Sequence, residues 1–246
     1  MTTREEVLQN CTIQGLIVKL PATQLDRSLY QQVAKSLELI GGKWKGGKIA
    51  GFVFNSDPTE LLEEISKGGK RNLKKEYQFF ATPDDLADDM VFEAQIEPFH
   101  KILEPSAGQG AIVKAINRVF QNTKVDCYEA MPENQIILKK IKEVEFLGED
   151  FLADGKKYGE YDRIIANPPF TKNQDIDHIY EMYKCLKVGG RLVSMASKHW
   201  QLSTNQKETE FREWLKRVNY DFQEIESGKF KESGTTIGTV MLIINK

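Results

Sequence analysis

Residues 103–112 read Leu-Glu-Pro-Ser-Ala-Gly-Gln-Gly-Ala-Ile, and this stretch decides the fold class. A short predicted strand ends in Glu104, the chain turns through Gly108 and Gly110, and a helix follows. Glycine leaves the backbone amides at the start of that helix open to a ligand, whereas a side chain would block them. The stretch is neither a phosphate loop, GxxxxGK[ST], nor the full GxGxxG dinucleotide pattern. An ordinary tight turn between strand and helix remains the alternative.

Strands and helices alternate on both sides of this turn, over residues 77–246. The alternation predicts an α/β fold with a Rossmann-like, doubly wound, largely parallel sheet and an antiparallel hairpin at one edge. Thr82 is expected to cap the first helix and Gly189-Gly190 to end a later one. The predicted strands cover 102–104, 124–128, 143–147, 161–166, 191–196, 221–226 and 235–245, and the predicted helices include 83–95, 132–141, 176–186 and 208–218.

The first 76 residues have a different pattern, which predicts a small α+β module. An apolar run at 11–20 precedes a predicted helix over 26–40, a strand over 49–54 and a helix over 58–66. This part holds 12 Lys and Arg against 9 Asp and Glu, although the whole chain has a net charge of −2. The positive charge of the chain is therefore concentrated in the module.

Two basic stretches of the module are candidates for contact with nucleic acid. In the first, Lys43, Lys45 and Lys48 surround Trp44, and cations beside an exposed aromatic ring suit phosphate contacts and base stacking. The second is a run without acids at 67–75, from which we select Lys70 and Arg71. The alternatives are a solvated loop with the Trp44 ring in the module's core, and a plain linker.

Composition excludes several classes of protein. The chain has 246 residues, of which 40% are hydrophobic and 28% charged, as in an ordinary globular protein. No apolar run approaches the roughly 20 residues of a membrane span, and the first residues lack the apolar core of a signal peptide. Three scattered cysteines and three distant histidines fit neither a disulfide framework nor a metal site. We expect a reduced, cytoplasmic protein without metal or membrane contact.

Acidic residues follow two further predicted strands. Glu129 ends the next strand, 25 residues after Glu104, where a carboxylate can accept the hydroxyls of a ribose. Glu149-Asp150-Phe151 follows the third strand, where an acid can accept an adenine amino group and an aromatic ring can lie on the base. Acids at strand ends are common. Each of these positions therefore indicates a ligand site only in combination with the glycine turn.

The sharpest signal is Asn167-Pro168-Pro169-Phe170, directly after the fourth predicted strand. The amino group of a nucleobase is a poor nucleophile because its lone pair is delocalised into the ring. If the Asn167 side-chain oxygen and the Pro168 carbonyl accept its two N–H bonds, the lone pair turns toward an incoming methyl group. The prolines fix both acceptors in advance, and the Phe170 ring can stack on the base. A proline-rich turn without function is the alternative.

Three segments in this order resemble the amino-methylating DNA methyltransferases of the gamma type, which include type I modification subunits and phage adenine methylases. The segments are EYQFFATPDDLADDMV at 76–91, the glycine turn at 103–112 and IIANPPF at 164–170. The resemblance covers about 76–246 and implies that S-adenosylmethionine is the cofactor and that DNA adenine is methylated at N6. The target base would be held by Asn167, Pro168, Pro169 and Phe170. The implied cofactor-binding residues are Phe80, Thr82, Pro83, Glu104, Pro105, Ser106, Ala107, Gly108, Gly110, Glu129, Asp150, Phe151 and Asn167.

Two departures from the family pattern bear on specificity. Phe170 stands where tyrosine or tryptophan is also common, so stacking is retained and a hydroxyl is lost. The sequence also stops after the edge strands, without the target-recognition domain that the family pattern implies. We therefore expect specificity to come from elsewhere, with the N-terminal module or an additional specificity subunit as the candidates.

Other functions stay open from the sequence. The same Asn-Pro-Pro acceptors also suit cytosine N4, RNA or a glutamine amide in a protein, and the FxTP segment from Phe80 to Pro83 favours adenine by resemblance only. A DNA-binding regulator with a vestigial cofactor fold is the non-enzymatic alternative. No cysteine is placed as a ring-carbon methyltransferase would require, so we expect direct transfer without a covalent intermediate.

Overall fold

A computed structural model describes residues 2–154, 157–226 and 238–246. The backbone divides into two compact units, residues 1–79 and residues 80–246. The division falls a few residues after the predicted boundary at 76.

The N-terminal unit is an antiparallel sheet with helices. Its strands run in the order β1-β2-β4-β3, and one apolar cluster that includes Val33, Leu37 and Phe52 forms its core. The elements in chain order are α1 (Arg4–Gln9), β1 (Thr12–Gln14), β2 (Ile17–Lys19), α2 (Arg27–Leu39), β3 (Lys43–Lys45), β4 (Gly51–Val53), α3 (Thr59–Ser66) and α4 (Leu73–Glu76). The predicted helix at 26–40 is confirmed, and the Asp26 carboxylate caps it by accepting from Ser28 and Leu29.

Two features of this unit were not expected from the sequence. Helix α1 has a capping box between Thr3 and Glu6, a local signal that was overlooked. The apolar run at 11–20 is a hairpin of two short strands, because Gly15 has a left-handed φ of +59° and reverses the chain.

The basic run at 67–75 is not entirely a linker, because helix α4 begins within it at Leu73.

The second unit contains a seven-stranded sheet in the order β10-β11-β9-β8-β5-β6-β7. Five consecutive strands, from β9 to the edge strand β7, are parallel, and β10 and β11 form an antiparallel pair at the other edge. The elements are α5 (Asp84–Glu93), β5 (Ile102–Glu104), α6 (Ala111–Val119), β6 (Val125–Tyr128), α7 (Pro132–Leu138), β7 (Val144–Gly148), β8 (Tyr161–Ala166), α8 (Gln174–Cys185), β9 (Leu186–Ser197), α9 (His199–Leu202), α10 (Gln206–Leu215), β10 (Asn219–Glu224) and β11 (Thr239–Asn245). Of the predicted edge strand 235–245, residues 235–237 lie outside the described residues.

Both faces of this sheet are covered. Ile102 belongs to an apolar cluster with residues of α5, α6 and α7, whereas its neighbour Leu103 belongs to a second cluster with residues of α8, α9 and α10. Successive side chains of a strand point to opposite faces, so a strand buried on both sides has few polar residues. This explains why the central strands read as short apolar runs.

Two predicted helix boundaries were wrong. Helix α5, the first helix of the second unit, has Pro83 at its N-cap and no side-chain cap, so Thr82 does not cap it. Helix α8 ends at Cys185, and Gly189-Gly190 lies inside the long strand β9 rather than after the helix. Gly189 has a φ of +81°, and the register between β8 and β9 shifts nearby. The two glycines therefore lie in an irregular first part of β9.

No helix among the described residues is long and apolar enough to cross a membrane. Within the same ranges, no group of three or more His, Cys, Asp or Glu side chains could hold a metal ion. Cys127 and Cys185 are buried, Cys11 is partly buried, and none of the three forms a disulfide within the described ranges.

Candidate active site

The strand order reverses between β5 and β8, which are neighbours in the sheet although β6 and β7 intervene along the chain. In open α/β sheets this reversal opens a crevice at the carboxyl ends of the strands, where ligands bind. Glu104 is the last residue of β5, and Asn167 directly follows β8. The structure therefore brings two predicted site residues to the same edge of adjacent strands.

The glycine turn between β5 and α6 is held in a left-handed conformation. Gly108 has a φ of +54°, and Gly110 has a φ of +76° at the N-cap of α6. Residues with a side chain rarely adopt this conformation. A Cβ at Gly110 would also collide with Cδ1 of Ile141 and lie 3.3 Å from Cδ1 of Leu138. Packing inside the protein is therefore a reason for Gly110 that the sequence argument, based on ligand access, did not contain.

Glu129 connects the glycine turn to the end of β6. Its Oε2 accepts a hydrogen bond from the Gly108 amide at 2.7 Å, and its Oε1 accepts one from the Met131 amide at 2.8 Å. The Asn134 side chain donates to the same Oε1 at 3.3 Å. Burial raises the pKa of Glu129, and these donors oppose the rise. Each carboxylate oxygen has two lone pairs, and Oε1 already accepts two hydrogen bonds, so Oε2 can accept one further hydroxyl group while Glu129 holds the turn.

Glu104 is a buried carboxyl group with an incomplete set of partners. The residue is 2% exposed, and its Oε2 has no hydrogen-bond partner among the described residues. Burial, followed by the charge of Glu129, raises its pKa well above the ordinary value, while the Val113 amide and Lys114 lower it. An unpartnered carboxyl oxygen at a strand end is costly for folding alone, and a ligand that donates a hydrogen bond would satisfy it.

Asn167 is anchored through its amide nitrogen. Nδ2 donates to the Thr82 hydroxyl at 3.1 Å and to the Phe80 carbonyl at 3.3 Å. Because these bonds use both N–H groups of the amide, its oxygen is the polar atom that remains to accept from a ligand. The FxTP segment and the Asn-Pro-Pro motif thus meet in space, through the Thr82 hydroxyl and the Phe80 carbonyl.

The backbone is unusual just after this motif. Lys172 and Asn173 have φ values of +55° and +58°, and Asn173 begins α8 from this left-handed conformation. Such residues cost on the order of 1 kcal/mol each and are found preferentially at functional sites. Two consecutive left-handed residues therefore mark the segment that follows Phe170.

Phe151 and Phe170, which were predicted to contact a ligand, lie deeper than the sequence implied, and a third aromatic residue, Trp200, is also buried. Phe151 is 2% exposed and packs on Tyr128 and His178, with centroids 5.5 and 5.8 Å away. Phe170 is 7% exposed and belongs to the apolar cluster that contains α5 and α6. Trp200 is buried against Phe211. Their roles beside a base or the cofactor stay predictions.

Asp150 is exposed, and its side chain organises the loop after β7. Its Oδ1 accepts from the Leu152 and Ala153 amides at 2.8 and 3.3 Å. Asp154, which the sequence did not single out, accepts from the Glu149 and Asp150 amides at 2.9 Å each. The two acids hold a compact loop that can present Asp150 to an amino group.

Sequence reasoning also missed Asp175 at the same edge of the sheet. Its side chain is fully buried, Oδ2 accepts from the Ser197 amide at 2.9 Å, and Oδ1 has no partner among the described residues. Burial raises its pKa, and the Ser197 hydrogen bonds oppose the rise. Asp175 ties the start of α8 to the end of β9. An acid in the first helical turn soon after the Asn-Pro-Pro motif was the available signal.

The candidate nucleic-acid residues fall on different parts of the N-terminal unit. Lys43 and Lys45 lie on β3, and Trp44 is 46% exposed while its ring packs edge-on against Phe52 at 5.2 Å. Trp44 is thus partly packed and partly free, between the two predicted alternatives. Lys48 is exposed in the following turn, whereas Lys70 and Arg71 lie between α3 and α4.

The chain is similar to known methyltransferases in sequence. No protein-family model matches it. The type II methyltransferase M.CvrRI of Paramecium bursaria Chlorella virus XZ-6E is 33% identical over 139 residues, which cover 54% of this chain and 34% of that protein. The chain therefore matches about a third of the length of this curated relative. The resemblance to methyltransferases predicted from the motifs is confirmed by this match.

Solved structures are similar in fold. The M protein of the type I restriction enzyme EcoKI aligns with a TM-score of 0.54 and 14% identity, over 89% of this chain and 55% of that chain. A putative class I S-adenosylmethionine-dependent methyltransferase from Listeria monocytogenes aligns with a TM-score of 0.53 and 14% identity, over 76% and 66%. The predicted Rossmann-like fold of these methyltransferases is confirmed.

Proposed function

We propose that this chain transfers a methyl group from S-adenosylmethionine to an exocyclic amino nitrogen, N6 of adenine in DNA. The observation that carries the proposal is the anchoring of Asn167, whose Nδ2 is bound to Thr82 and Phe80. A side-chain amide fixed in this way leaves its oxygen as a preorganised acceptor at the carboxyl edge of the sheet. The relatives support the reaction class through their names, methyltransferase in one case and restriction-enzyme M protein in the other.

The residues at the reversal of the strand order fit S-adenosylmethionine. Its ammonium group would give the buried, unpartnered Oε2 of Glu104 a charged partner. One of its ribose hydroxyls would donate to Oε2 of Glu129, which already lies beside the glycine turn. Asp150 would accept from the adenine amino group, as the exposed carboxylate of its loop. When bound, the cofactor supplies an electrophilic methyl group on a sulfonium.

The chain's own contribution to the reaction is the placement of the nucleophile. The Asn167 side-chain oxygen and the Pro168 carbonyl would accept the two N–H bonds of the target amine, which localises the lone pair on nitrogen. Pro168 and Pro169 restrict the backbone, so the acceptors need no reordering. Effects of this kind are worth roughly a hundredfold to a thousandfold in rate when one polar contact is removed. The proton of the methylated nitrogen leaves to solvent.

The target must leave the duplex before it can reach this edge. Chemistry on a base inside a duplex requires the nucleotide to be flipped out, at a cost of a few kcal/mol. Phe170 would then have to expose more of its ring than it does in this conformation in order to stack on the base. We infer a small local movement around 170–173 on substrate binding, at the segment with left-handed backbone.

The test is to incubate the protein with methyl-labelled S-adenosylmethionine and unmethylated DNA, digest the DNA to nucleosides and identify the labelled species. Label in N6-methyladenosine supports the proposal. Label in N4-methylcytidine retains the mechanism and refutes the choice of base. If cofactor binds in a separate measurement and no DNA is labelled, the DNA substrate is refuted, and RNA and protein glutamine are tested with the same label.

A further inference from the structure

The N-terminal unit contains a cavity, and none of the residues of the proposed methyl-transfer site lines it. Its volume is about 760 Å³, and all of its lining residues belong to residues 1–79. They come from α1, α2, the end of α3, the following loop and α4. We call it the basic cavity, lined by Arg4, Gln32, Lys35, Ser36, Leu39, Ile65, Gly69, Lys70, Arg71, Asn72, Lys75 and Glu76.

The charge of the basic cavity is strongly one-sided. Five of its lining side chains are cationic, and Glu76 is the one acid among them. Arg71 already neutralises that acid, with Nη2 at 2.7 Å from Glu76 Oε2, and its Nη1 lies 2.6 Å from Glu64. Arg4 pairs in turn with Glu5, so the unbalanced positive charge of the cavity is that of its three lysines.

Three of the five cations make no ion pair that would explain their position in the structure, among the residues that it describes. Lys35, Lys70 and Lys75 are exposed, and none of them forms an ion pair within the described ranges. They come from separate segments and converge on one concavity, where like charges repel each other. An arrangement that costs electrostatic free energy without a compensating contact is expected where an anion binds.

Arg4 is built into the wall more firmly. Its guanidinium pairs with the Glu5 carboxylate, whose Oε1 lies 3.0 Å from Nε and 2.8 Å from Nη2, and its side chain is 19% exposed. Longer hydrogen bonds to the Ser36 hydroxyl at 3.4 Å and to the Ile65 and Gly69 carbonyls at 3.5 Å orient the group in the wall. An anion in the cavity would find one oriented guanidinium together with flexible ammonium groups.

We propose that the basic cavity binds the phosphodiester backbone of DNA. The choice of DNA among phosphate-bearing ligands rests on the proposed methylation of DNA, whereas the positive charge and concavity stand on the N-terminal unit alone. The site includes Lys70, Arg71 and Lys75 of the basic run 67–75 and adds Arg4 and Lys35, which no local pattern indicated. Contacts of this kind position a protein on DNA without reading its sequence.

The cluster on β3 provides a matched comparison. Lys43, Lys45 and Lys48 are also three exposed lysines of the same unit, and none of them lines the basic cavity. Reversing three charges in either set changes the net charge by the same amount. A difference between the sets therefore reports location and not total charge.

The experiment measures the affinity of the full chain for a fluorescein-labelled DNA duplex by fluorescence anisotropy, at several salt concentrations and without cofactor. The cavity set is Lys35→Glu, Lys70→Glu and Lys75→Glu, and the comparison set is Lys43→Glu, Lys45→Glu and Lys48→Glu. We expect the cavity set to weaken binding by at least about tenfold and to reduce the salt slope by about 0.9 for each lost phosphate contact. The comparison set removes the other candidate nucleic-acid residues of the unit, and the proposal requires it to weaken binding clearly less than the cavity set does.

Equal loss in both sets, or a larger loss in the comparison set, overturns the proposal, as does wild-type protein that does not bind DNA. If reversal lowers the melting temperature, the neutral set Lys35→Gln, Lys70→Gln and Lys75→Gln is compared with Lys43→Gln, Lys45→Gln and Lys48→Gln by the same criterion.

Inorganic phosphate is titrated by calorimetry in parallel. Phosphate binding that the cavity set abolishes, with DNA affinity unchanged, identifies a small-anion site and refutes the proposal. Cavity-dependent binding without methyl transfer refutes only the proposed function.

Discussion

The side-chain amide of Asn167 donates a hydrogen bond to the hydroxyl of Thr82 across 3.1 Å, although the two residues are 85 positions apart. Thr82 lies in the segment before α5, and Asn167 follows β8. The contact joins two motifs that the sequence indicated separately, and it fixes which atom of the amide remains for a substrate. The first two predictions follow from it.

Replacing Asn167 with alanine removes one acceptor and the anchor together. We expect kcat to fall by roughly a hundredfold to a thousandfold, because the lone pair of the target amine is no longer localised before transfer. The dissociation constant of S-adenosylmethionine, measured by calorimetry, is expected to change by less than about threefold, because a single neutral contact contributes little. Asn167→Ala with near-normal kcat would show that the amide does not hold the target.

Thr82 acts on the reaction through Asn167, as a positioning residue. Thr82→Val retains the shape of the side chain and removes the acceptor of the Asn167 hydrogen bond. We expect kcat to fall by about fivefold, which corresponds to about 1 kcal/mol for one hydrogen bond. Thr82→Ser retains the hydroxyl and is expected to restore most of the rate. If serine and valine reduce kcat equally, the hydroxyl has no positioning role.

Gly110 is required by conformation and by its contact with Ile141. Gly110→Ala is expected to lower the free energy of unfolding by about 1–2 kcal/mol for the left-handed backbone and by a further 1–3 kcal/mol for the collision. The collision involves Cδ1 of Ile141, which valine lacks. Chemical denaturation of Gly110→Ala, Ile141→Val and the double variant separates the two causes. The double variant is expected to recover the collision part, and purely additive losses would contradict this account.

Glu104 gives the stability of the protein a defined pH dependence. Because burial and the Glu129 charge raise its pKa in the folded state, the folded protein binds this proton more tightly than the unfolded chain. The contribution of Glu104 to stability is therefore fully present below its unfolded pKa and is lost as the pH rises toward its folded pKa. Glu104→Gln is expected to flatten the fall in unfolding free energy above about pH 4.5. Parallel curves for the two proteins would show that Glu104 is not protonated preferentially in the folded state.

Much of the second unit could be predicted because its information is local. Strands with both faces buried appear as short apolar runs, and helices show their three- and four-residue spacing, so β5 through β8 were placed to within a residue or two. The acids and the asparagine at strand ends could be assigned to one edge, because parallel strands end together. Errors arose where local signals compete, as at Gly189-Gly190, which is typical of a helix end and here lies within a strand.

The sequence by itself determined the fold class, the order of the main strands and helices in the second unit, and the edge of the sheet at which Glu104, Glu129 and Asn167 lie. Only the tertiary structure decided that Asn167 binds Thr82, that the space beside Gly110 is filled by Ile141, that Phe151 is buried, and that five cations of the N-terminal unit line one cavity. The physical reason is the range of the interactions. Hydrophobic periodicity and turn chemistry act over a few residues and can be read along the chain. Packing and side-chain hydrogen bonds join segments that are distant in sequence, and their partners are set only when the whole chain has folded.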